Sequence, residues 1–493
     1  MNSLFDIPIP DFGNDDLTGR CRPLNDKIEY EDADYVLCWL QQALRAFDNP
    51  VIDAAVAYAN VNNLPVLVYH GVRQDYPHAS DRLHYFLLGG SRDLQRGCAE
   101  RGIRCVSYLQ TPGNIEKGLV YRLSAQARAV FAEDHPTFVA RWQTQSFASK
   151  VNRPVFAIDA ARLVPTRALP NSLKTTPAFR AANRPLRNGF AAAKRDIDPE
   201  VAICDLPFKF KHIDLIDTSD AQLRNLIAEC NIDHSLGTCE EFPPSRSVAL
   251  ARMSDFISDY LPKYKWTRNN PAAAGSGSQL SPYLHFGILG PRELYQAIQA
   301  SDAHSAAKWK FLDEAITWRE WFHYQAYHDD EFDRFSSLPK RALNTLFEHA
   351  SDPRPKLYSL NELIHGATED AVWNAAQKQW LSTGYMHNNL RMYWGKKLIE
   401  WTPDPETAWN TACYINDRLS LDGRDPATYG NMQWCFGKAK PGYSEKPIYG
   451  WVAPKSSRAV LKRAGVADWV ETMNLKTLPT ILVPDRPNHP ARL

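Results

Sequence analysis

The residues with the most obvious capacity for chemistry lie in the segment 383–401, TGYMHNNLRMYWGKKLIEW. Arg391, Trp394 and Trp401 stand at positions i, i+3 and i+10, so a helix would place them along one side. Trp373 lies on the preceding helical segment and could pack beside them. A tryptophan-rich core seam explains these spacings. An array of indoles that binds flat rings or moves electrons is the alternative.

A carboxylate and an indole share one face of a second predicted helix, FLDEAITWREWFHYQ (311–325). Glu314 and Trp318 are four residues apart and therefore neighbours on the helix surface, whereas Arg319 points elsewhere. A carboxylate on a buried face costs free energy unless it has a partner. The segment is therefore either a surface Glu beside a half-buried Trp, or a site in which Glu314 is paired.

A charged pair is also expected around the turn-like LDGRDP (421–426). Asp422 could pair with Arg391, because a buried arginine nearly demands such a partner. The alternative is a β-turn in which Asp422 and Arg424 are solvated.

The loop YKWTRNNPAAAGSGSQLSPYLHFG (264–287) is rich in small residues and ends in Ser281 and Pro282. Ser is a good helix N-cap and Pro suits the first helical position, so a helix is predicted to begin here. Open backbone N–H groups ahead of a helix N-terminus form a phosphate site, which Tyr264 and Arg268 could flank. An ordinary capped loop is the other interpretation.

The composition narrows the class of protein. A chain of 493 residues predicts two domains, and a net charge of +1 means that any polyanion site must come from local clustering. Nine cysteines without a CxxC pair argue against a disulfide framework or a zinc site and for a reducing compartment. We see no signal peptide pattern and no apolar run long enough to span a membrane, and we expect a cytoplasmic protein without a bound metal.

The first third of the chain alternates between two patterns, which predicts a parallel, Rossmann-like α/β sheet. The expected strands are 34–40, 64–71, 102–109 and 154–165, and the expected helices are 49–61, 82–100 and 124–134. The glycine-rich dinucleotide fingerprint is absent after the first strand, so this sheet does not imply NAD binding. We predict an α/β domain over 30–165, a proline-rich and basic connector over 166–212, and an all-α domain over 213–493.

Taken together, the motifs QLSPYLHFG, FLDEAITWRE, VWNAAQ, MHNNLRMYW…KKLIEW, INDRLSLDGRDP and EKPIYG identify a family. The chain resembles the photolyase/cryptochrome flavoproteins, and within them the class II cyclobutane pyrimidine dimer (CPD) photolyases. The resemblance implies an α/β antenna domain followed by a helical domain that holds FAD. It also implies an enzyme that uses light to split pyrimidine dimers in DNA.

The resemblance assigns roles to the residues above. The flavin-binding positions are Tyr264, Ser278, Leu280, Ser281, Arg319, Asn388, Arg391, Asp422 and Arg424. Asn416 matches the asparagine that faces flavin N5, and Glu314 matches the carboxylate that hydrogen-bonds the dimer. The other substrate positions are Arg268, Asn269, Trp318, Met392 and Trp434.

Trp394, Trp373 and Trp401 match the class II electron relay that reduces the flavin to its active form, FADH⁻. Met432 stands where a class I relay tryptophan would lie, which favours class II. An antenna chromophore, either a deazaflavin or a folate, is the family's usual addition, and its absence is the alternative. The implied partner is UV-damaged DNA. We expect the protein to be a monomer and to act at the nucleoid of a bacterial-type cytoplasm.

Phosphate contacts are expected in 436–465, where basic residues outnumber the one acidic residue, Glu445. These basic residues are Lys438, Lys440, Lys446, Lys455, Arg458, Lys462 and Arg463. A solvated basic tail is the other interpretation. The overlapping stretch 451–470 departs from the class II pattern, which leaves room for a separate branch.

Two other functions stay open. One is a cryptochrome-like photosensor with the same flavin and tryptophan relay. The other is repair of the pyrimidine (6-4) photoproduct, which usually calls for a histidine pair, and His387 is the obvious histidine of the key helix.

Overall fold

The computed structural model describes residues 7–29, 31–203, 205–438, 444–478 and 480–487. Its sheet has six strands in the order β1-β6-β5-β2-β3-β4. The strands are β1 (Cys21–Pro23), β2 (Tyr35–Leu40), β3 (Val66–Val72), β4 (Arg104–Leu109), β5 (Ala127–Glu133) and β6 (Val155–Ile158). All neighbours pair in parallel except β1, which runs antiparallel to β6. The predicted α/β sheet is confirmed, with one antiparallel edge strand that was not foreseen.

Helices cover the sheet. They are α1 (Asp15–Arg20), α2 (Pro50–Val61), α3 (Asp81–Glu100), α4 (Leu119–Ser124) and α5 (Phe138–Ala148). α2 shows why they begin where they do: the Asn49 side chain accepts a hydrogen bond from the Val51 N–H, and Pro50 occupies the first turn. The predicted helices over 49–61 and 82–100 are confirmed.

The helix predicted over 124–134 is wrong, because this stretch forms β5 (Ala127–Glu133). β5 lies between β2 and β6 and pairs in parallel with both. A strand covered on both faces carries an unbroken apolar run without alternation, and its alanines gave the appearance of a helix. The strand predicted over 154–165 is confirmed only for Val155–Ile158.

The segment 166–212 contains two short helices, α6 (Thr176–Asn183) and α7 (Arg187–Ala192). α6 begins where the Thr175 hydroxyl accepts from the Ala178 N–H. The segment is therefore more ordered than a plain connector. The boundaries at 165 and 212 stay predictions.

The rest of the chain is helical, as predicted. Its helices are α8 (Asp220–Ala228), α9 (Arg246–Asp255), α10 (Tyr264–Thr267), α11 (Ser281–His285), α12 (Pro291–Ala300), α13 (Ser305–Leu312), α14 (Arg319–His328), α15 (Lys340–Glu348), α16 (Leu360–His365), α17 (Ala371–Thr383), α18 (Asn388–Trp401), α19 (Pro405–Leu419), α20 (Pro426–Gln433), α21 (Ser457–Leu461) and α22 (Val466–Leu475). Wider π-helical turns occupy Phe256–Tyr260, Asp313–Trp318 and Trp434–Lys438. Such turns often mark functional sites, and the last two contain predicted site residues.

The helical part packs onto the carboxyl ends of the strands. At the end of β5, the Glu133 carboxylate accepts hydrogen bonds from the backbone N–H groups of Gln41, Gln42 and Ala43, which follow β2. Gly287 rests on the same loop with a φ of +63°, and a Cβ there would lie 2.5 Å from the Gln42 carbonyl oxygen. The contact therefore requires glycine and fixes how the two layers meet.

In the described part of the chain, no helix is long and apolar enough to cross a membrane. No group of three or more His, Cys, Asp or Glu side chains among the described residues is arranged to hold a metal ion.

Replacing Glu133 by Ala is expected to destabilise the protein by about 1–3 kcal/mol, because three buried N–H donors lose their acceptor. Glu133→Gln keeps one carbonyl oxygen and should lose less. Thermal unfolding of the three proteins measures the effect, and a midpoint for Glu133→Ala equal to that of the wild type would contradict it.

Candidate active site

Three tryptophans pack into one buried array between α17 and α18. The rings of Trp373 and Trp394 are stacked with centroids 5.8 Å apart, and those of Trp373 and Trp401 meet edge to face at 5.4 Å. Trp373 donates its Nε1–H to the Trp394 carbonyl, and Trp394 donates to Gln377 Oε1. The predicted packing of these indoles is confirmed, and their role as an electron relay stays a prediction.

A fourth indole, Trp380, joins this array and was missed. Its ring meets that of Trp394 edge to face at 5.1 Å, and the Arg391 guanidinium lies 5.1 Å from its centroid. Trp380 stands seven residues after Trp373, and this heptad spacing on α17 was the available signal.

Arg391 and Asp422 form a buried ion pair, with 2.9 Å between Nη2 and Oδ1. Burial alone would raise the pKa of Asp422, but Arg391 and the hydroxyls of Ser281 and Ser420 outweigh it and hold the pKa below its usual range. The alternative of a turn in which Asp422 and Arg424 are solvated is wrong, since Arg424 is only 4% exposed and the Asp422 side chain only 14%.

Two polar atoms close to this pair are buried without a hydrogen-bond partner among the described residues. They are Asn416 Oδ1 and Arg391 Nε. Asn416 is completely buried, and its Nδ2–H donates a hydrogen bond to the Ala412 carbonyl, one turn back on α19. Each unmade bond costs about 1–3 kcal/mol, so the arrangement favours a ligand that presents both a donor and an acceptor. The edge of a flavin ring, with its carbonyl oxygens and N–H groups, fits this requirement.

The loop before α11 reaches the ion pair, although not as predicted. Ser281 is the first residue of α11 rather than its N-cap, a position held by Leu280, so the predicted cap is wrong. The Ser281 hydroxyl instead donates a hydrogen bond to the Asp422 carboxylate. A hydrogen bond to an ionised acceptor is stronger than the neutral one that the hydroxyl would accept as a cap. Leu280 is buried and Ser278 is partly exposed beside it.

Glu314 has the partners that its position requires. Its Oε1 lies 3.0 Å from Arg268 Nη1 and 2.5 Å from Lys310 Nζ. Tyr264 is buried against Phe311, and its hydroxyl hydrogen-bonds Arg268. The carboxylate thus lies partly exposed between two cations.

Aromatic and sulfur-containing side chains line the neighbouring surface. Trp318 and Trp434 meet edge to face at 5.1 Å, and both are half-buried. Met392 contacts the residue that follows Trp434, with its Sδ 3.8 Å from Sγ of Cys435. The structure therefore brings Trp318 and Trp434 together, and Glu314 shares a π-helical turn with Trp318. The role of these side chains as walls of a substrate pocket stays a prediction.

The asparagines near the start of α18 lie at the edge of this region. Asn389 Nδ2 is 3.5 Å from Asn269 Oδ1, whereas Asn388 is exposed. The predicted contacts of Asn269 and Asn388 with substrate or flavin stay predictions.

Arg319 and Arg424 already contact other groups of the chain. Arg319 lies 3.4 Å from Asp425 Oδ2 and donates to the Ala161 carbonyl. Arg424, at a φ of +66°, donates to backbone carbonyls of the turn, including those of Ser420 and Leu421. Their predicted flavin contacts also stay predictions.

The basic residues of 436–465 do not form one solvated stripe. Lys438 packs 5.2 Å over the Phe332 ring and burial lowers its pKa to about 8, while burial also lowers the pKa of Lys455. Lys446, Arg458 and Lys462 are exposed and Arg463 partly so, whereas Lys440 lies outside the described residues. The same segment borders the site, because the Ala464 carbonyl accepts from Asn270.

His387 ties α18 to the loop before α11. Its Nδ1 accepts from the Asn389 N–H at 3.2 Å, and its ring also hydrogen-bonds the backbone of Arg268 and Ser276. Burial lowers its pKa to about 4. The imidazole is therefore neutral near pH 7.

The comparisons with known proteins agree with this fold. A family model for DNA photolyase matches residues 36–195. Over 453 residues the chain is 31% identical to the deoxyribodipyrimidine photo-lyase of Methanothermobacter thermautotrophicus, covering 92% of this chain and 97% of the relative. The chain belongs to the photolyase/cryptochrome family. The assignment to class II stays a prediction.

Solved structures share the fold at low sequence identity. A bacterial class III photolyase from Agrobacterium tumefaciens has a TM-score of 0.62 at 18% identity, covering 90% of this chain and 86% of that one. An archaeal photolyase from Sulfolobus tokodaii, solved with two FAD molecules, has a TM-score of 0.56 at 17% identity, covering 82% and 83%. The predicted α/β and helical architecture is confirmed.

Acid is expected to destabilise the protein through His387. Its folded pKa of about 4 lies below the ordinary value of 6.5, so the unfolded chain binds the extra proton between these values. The stability from this residue is complete above pH 6.5 and is lost as the pH falls towards 4. The variant that tests this is His387→Gln, because glutamine keeps a hydrogen-bond donor and an acceptor but cannot titrate.

Thermal midpoints at pH 7.5 and pH 5 measure the effect, and the drop between them should be smaller for His387→Gln than for the wild type. An equal drop in the two proteins would show that His387 does not titrate as described.

Proposed function

We propose that this protein is a deoxyribodipyrimidine photo-lyase, which uses light to split cyclobutane pyrimidine dimers in DNA. The observation that carries the proposal is Glu314, held between Arg268 and Lys310 beside the Trp318–Trp434 pair. A pyrimidine dimer offers a polar edge for such a carboxylate and two flat faces for such walls. The deoxyribodipyrimidine photo-lyase relative, matched along 97% of its length, supports the assignment.

FAD is the cofactor that the family implies, and when bound it supplies light absorption and the electron that reaches the dimer. Arg391 and Asn416 would hold its ring system, since both carry buried polar atoms without a partner among the described residues. Asp422 would keep Arg391 in place through their ion pair, and the Ser281 hydroxyl fixes Asp422 in turn. The chain thereby offers a preorganised polar frame for a flat, hydrogen-bonding ring.

The chain's own contribution at the dimer is orientation and charge. Glu314 would accept hydrogen bonds from the pyrimidine edges, and Arg268 and Lys310 would offset negative charge that develops on the bases. Trp318 and Trp434 would exclude water from the flipped lesion. Damaged bases stack poorly, so moving them out of the duplex costs less than moving intact ones.

The indole array would offer a path for electrons through the interior of the helical part to the buried site. Trp394, Trp373 and Trp401 are in continuous ring contact, and Lys397 Nζ lies 5.2 Å from the Trp401 ring. Trp380 is a poorer member of this path, because the Arg391 cation over its ring opposes removal of an electron. Met432, completely buried with its Sδ 3.8 Å from Asn416 Nδ2, supports the class II assignment.

We further propose the domain boundaries 30–165, 166–212 and 213–493 and a monomer that acts on UV-damaged DNA in a bacterial-type cytoplasm. An antenna chromophore, a deazaflavin or a folate, would contact the sheet away from Gln41–Ala43, because Glu133 already takes those N–H donors. The Sulfolobus tokodaii photolyase with its two FAD molecules shows that a second chromophore is compatible with this fold.

A cryptochrome-like photosensor is the second candidate, since the same indole array would serve it. Repair of the (6-4) photoproduct is disfavoured by His387, whose ring is neutral and engaged with the backbone of the neighbouring loop. Repair assays on the two lesions separate these functions.

Removing the Glu314 carboxylate should slow light-driven CPD repair by about 10²-fold, because an oriented hydrogen-bonding group is lost at the reacting bases. Glu314→Gln should fall between Glu314→Ala and the wild type. Glu348→Ala, on an exposed helix position, is the matched control and should repair normally. Single-turnover repair of an oligonucleotide with one CPD measures this, and unchanged repair in Glu314→Ala would contradict the assigned role.

Trp373→Phe should slow flavin photoreduction by at least about tenfold, since it interrupts the array at its central ring. Once reduced chemically, the variant should repair CPDs like the wild type. Trp409→Phe removes another fully buried indole outside the array and should photoreduce normally. Photoreduction of Trp373→Phe at the wild-type rate would show that electrons take another route.

A further inference from the structure

A basic pocket of about 210 Å³ lies between α6–α7 and α12–α13, outside the site described above. Its charged and aromatic lining consists of Arg180, Arg184, Arg187, Lys308, Asp313, Tyr295 and Trp309. Arg180 is paired with Asp313 at 2.8 Å, and Asp313 is the one carboxylate in the lining. Three cationic side chains are therefore left to act on whatever enters the pocket.

Arg187 forms the floor of this pocket. It is only 5% exposed, and its Nε and Nη2 donate to Asn183 Oδ1 at 2.8 Å and Thr317 Oγ1 at 2.6 Å. Both hydrogen-bond partners are neutral, whereas the Glu320 and Asp313 carboxylates attract Arg187 through space without a hydrogen bond to it. The guanidinium therefore adds positive charge at the floor of the pocket, where it can act on an anionic ligand in the adjoining space.

The pocket adjoins the proposed lesion site through three successive residues of α13. Lys308 and Trp309 line the pocket, whereas Lys310 pairs with Glu314. Trp309 is 45% exposed, so its ring offers a stacking surface beside the cations. Five residues of helix from 309 to 314 span about 7.5 Å, close to two base-pair steps of B-DNA.

A second exposed indole continues this surface on α10, which packs against α13. Trp266 is 75% exposed, with Lys265 Nζ 6.0 Å from its ring, and Arg268 at the end of α10 reaches Glu314. Cationic groups interleaved with accessible aromatic rings are the pattern that binds single-stranded nucleic acid.

We propose that the Arg184–Arg187–Lys308 pocket binds a backbone phosphate of the DNA strand that flanks the lesion, with Trp309 as a stacking surface for a base of that strand. The inference deepens the proposed function, because it names a contact with the same substrate outside the lesion pocket. It locates DNA contacts on α7 and α13 in addition to the exposed part of 436–465.

The test compares the FAD-loaded protein with the double variant Arg184→Glu/Lys308→Glu. Lys117→Glu/Lys209→Glu carries the same charge change on two exposed positions, one in the α/β domain and one in the segment 166–212, and is the matched control. Binding to a CPD-containing duplex is measured by fluorescence anisotropy between 50 and 200 mM salt. The pocket variant should bind about tenfold or more weakly, and its log–log salt slope should be shallower by about 1–2, while the control keeps the wild-type slope.

A second variant keeps the charge and removes the ring. Trp309→Ala should weaken binding about fivefold or more through lost stacking, with the salt slope unchanged. The inference is overturned if the double variant keeps the wild-type affinity and slope, or if it loses no more than the control. Binding of AMP or inorganic phosphate in the pocket, without any change in DNA affinity of the variants, would also overturn it.

Repair in the same samples at saturating DNA distinguishes this inference from the proposed function. Pocket variants that bind weakly but repair bound CPDs at the wild-type rate are the expected result. A protein whose DNA affinity depends on the pocket but which repairs no CPD would refute the photolyase assignment and leave the pocket's DNA contact standing.

Discussion

The ion pair between Arg391 and Asp422 is the interaction on which the site depends. It joins α18 to the turn that follows α19, and the Ser281 hydroxyl adds α11 to the same point. Removing either partner would leave an uncompensated buried charge, at a cost of about 3–5 kcal/mol. Such a pair is therefore weak as a source of stability but strong as a constraint on geometry.

The turn that carries Asp422 is itself held from several directions. Arg424 donates to its backbone carbonyls, and at Gly423 a Cβ would lie 2.5 Å from the Asn416 carbonyl oxygen. This close approach fixes the turn against the backbone of α19 at Asn416. Asn416 Oδ1 and Arg391 Nε, which have no hydrogen-bond partner among the described residues, are consistent with a site completed by a ring-shaped ligand.

Much of this arrangement was predictable from residue types and spacing. Helical periodicity predicted that the indoles on α17 and α18 lie together. Because a buried charge requires a partner, the Arg391–Asp422 pair and a partner for Glu314 were also predicted. The periodic pattern failed at β5, where Ala127–Glu133 is covered on both faces and loses the alternation of a strand. Ser281 failed as a cap because tertiary contact with Asp422 took its hydroxyl.

Other features had no local signal. The π-helical turns at Asp313–Trp318 and Trp434–Lys438 depend on packing around them, so the meeting of Trp318 with Trp434 could come only from the family resemblance. The basic pocket joins Arg184 and Arg187 to Lys308 across more than a hundred residues of sequence. The contact of Glu133 with the loop after β2 arises because β5 and β2 are neighbours in the sheet. The order of strands in a sheet is not visible in the local sequence.

The most direct test of the account uses the wild-type protein loaded with FAD and reduced by light. Duplexes that carry one CPD or one (6-4) photoproduct are illuminated or kept dark, and the return of intact pyrimidines is followed. The account predicts restoration of the CPD duplex only in the light and no restoration of the (6-4) duplex. Photoreduction of the flavin without repair of the CPD would contradict it and would favour the photosensor.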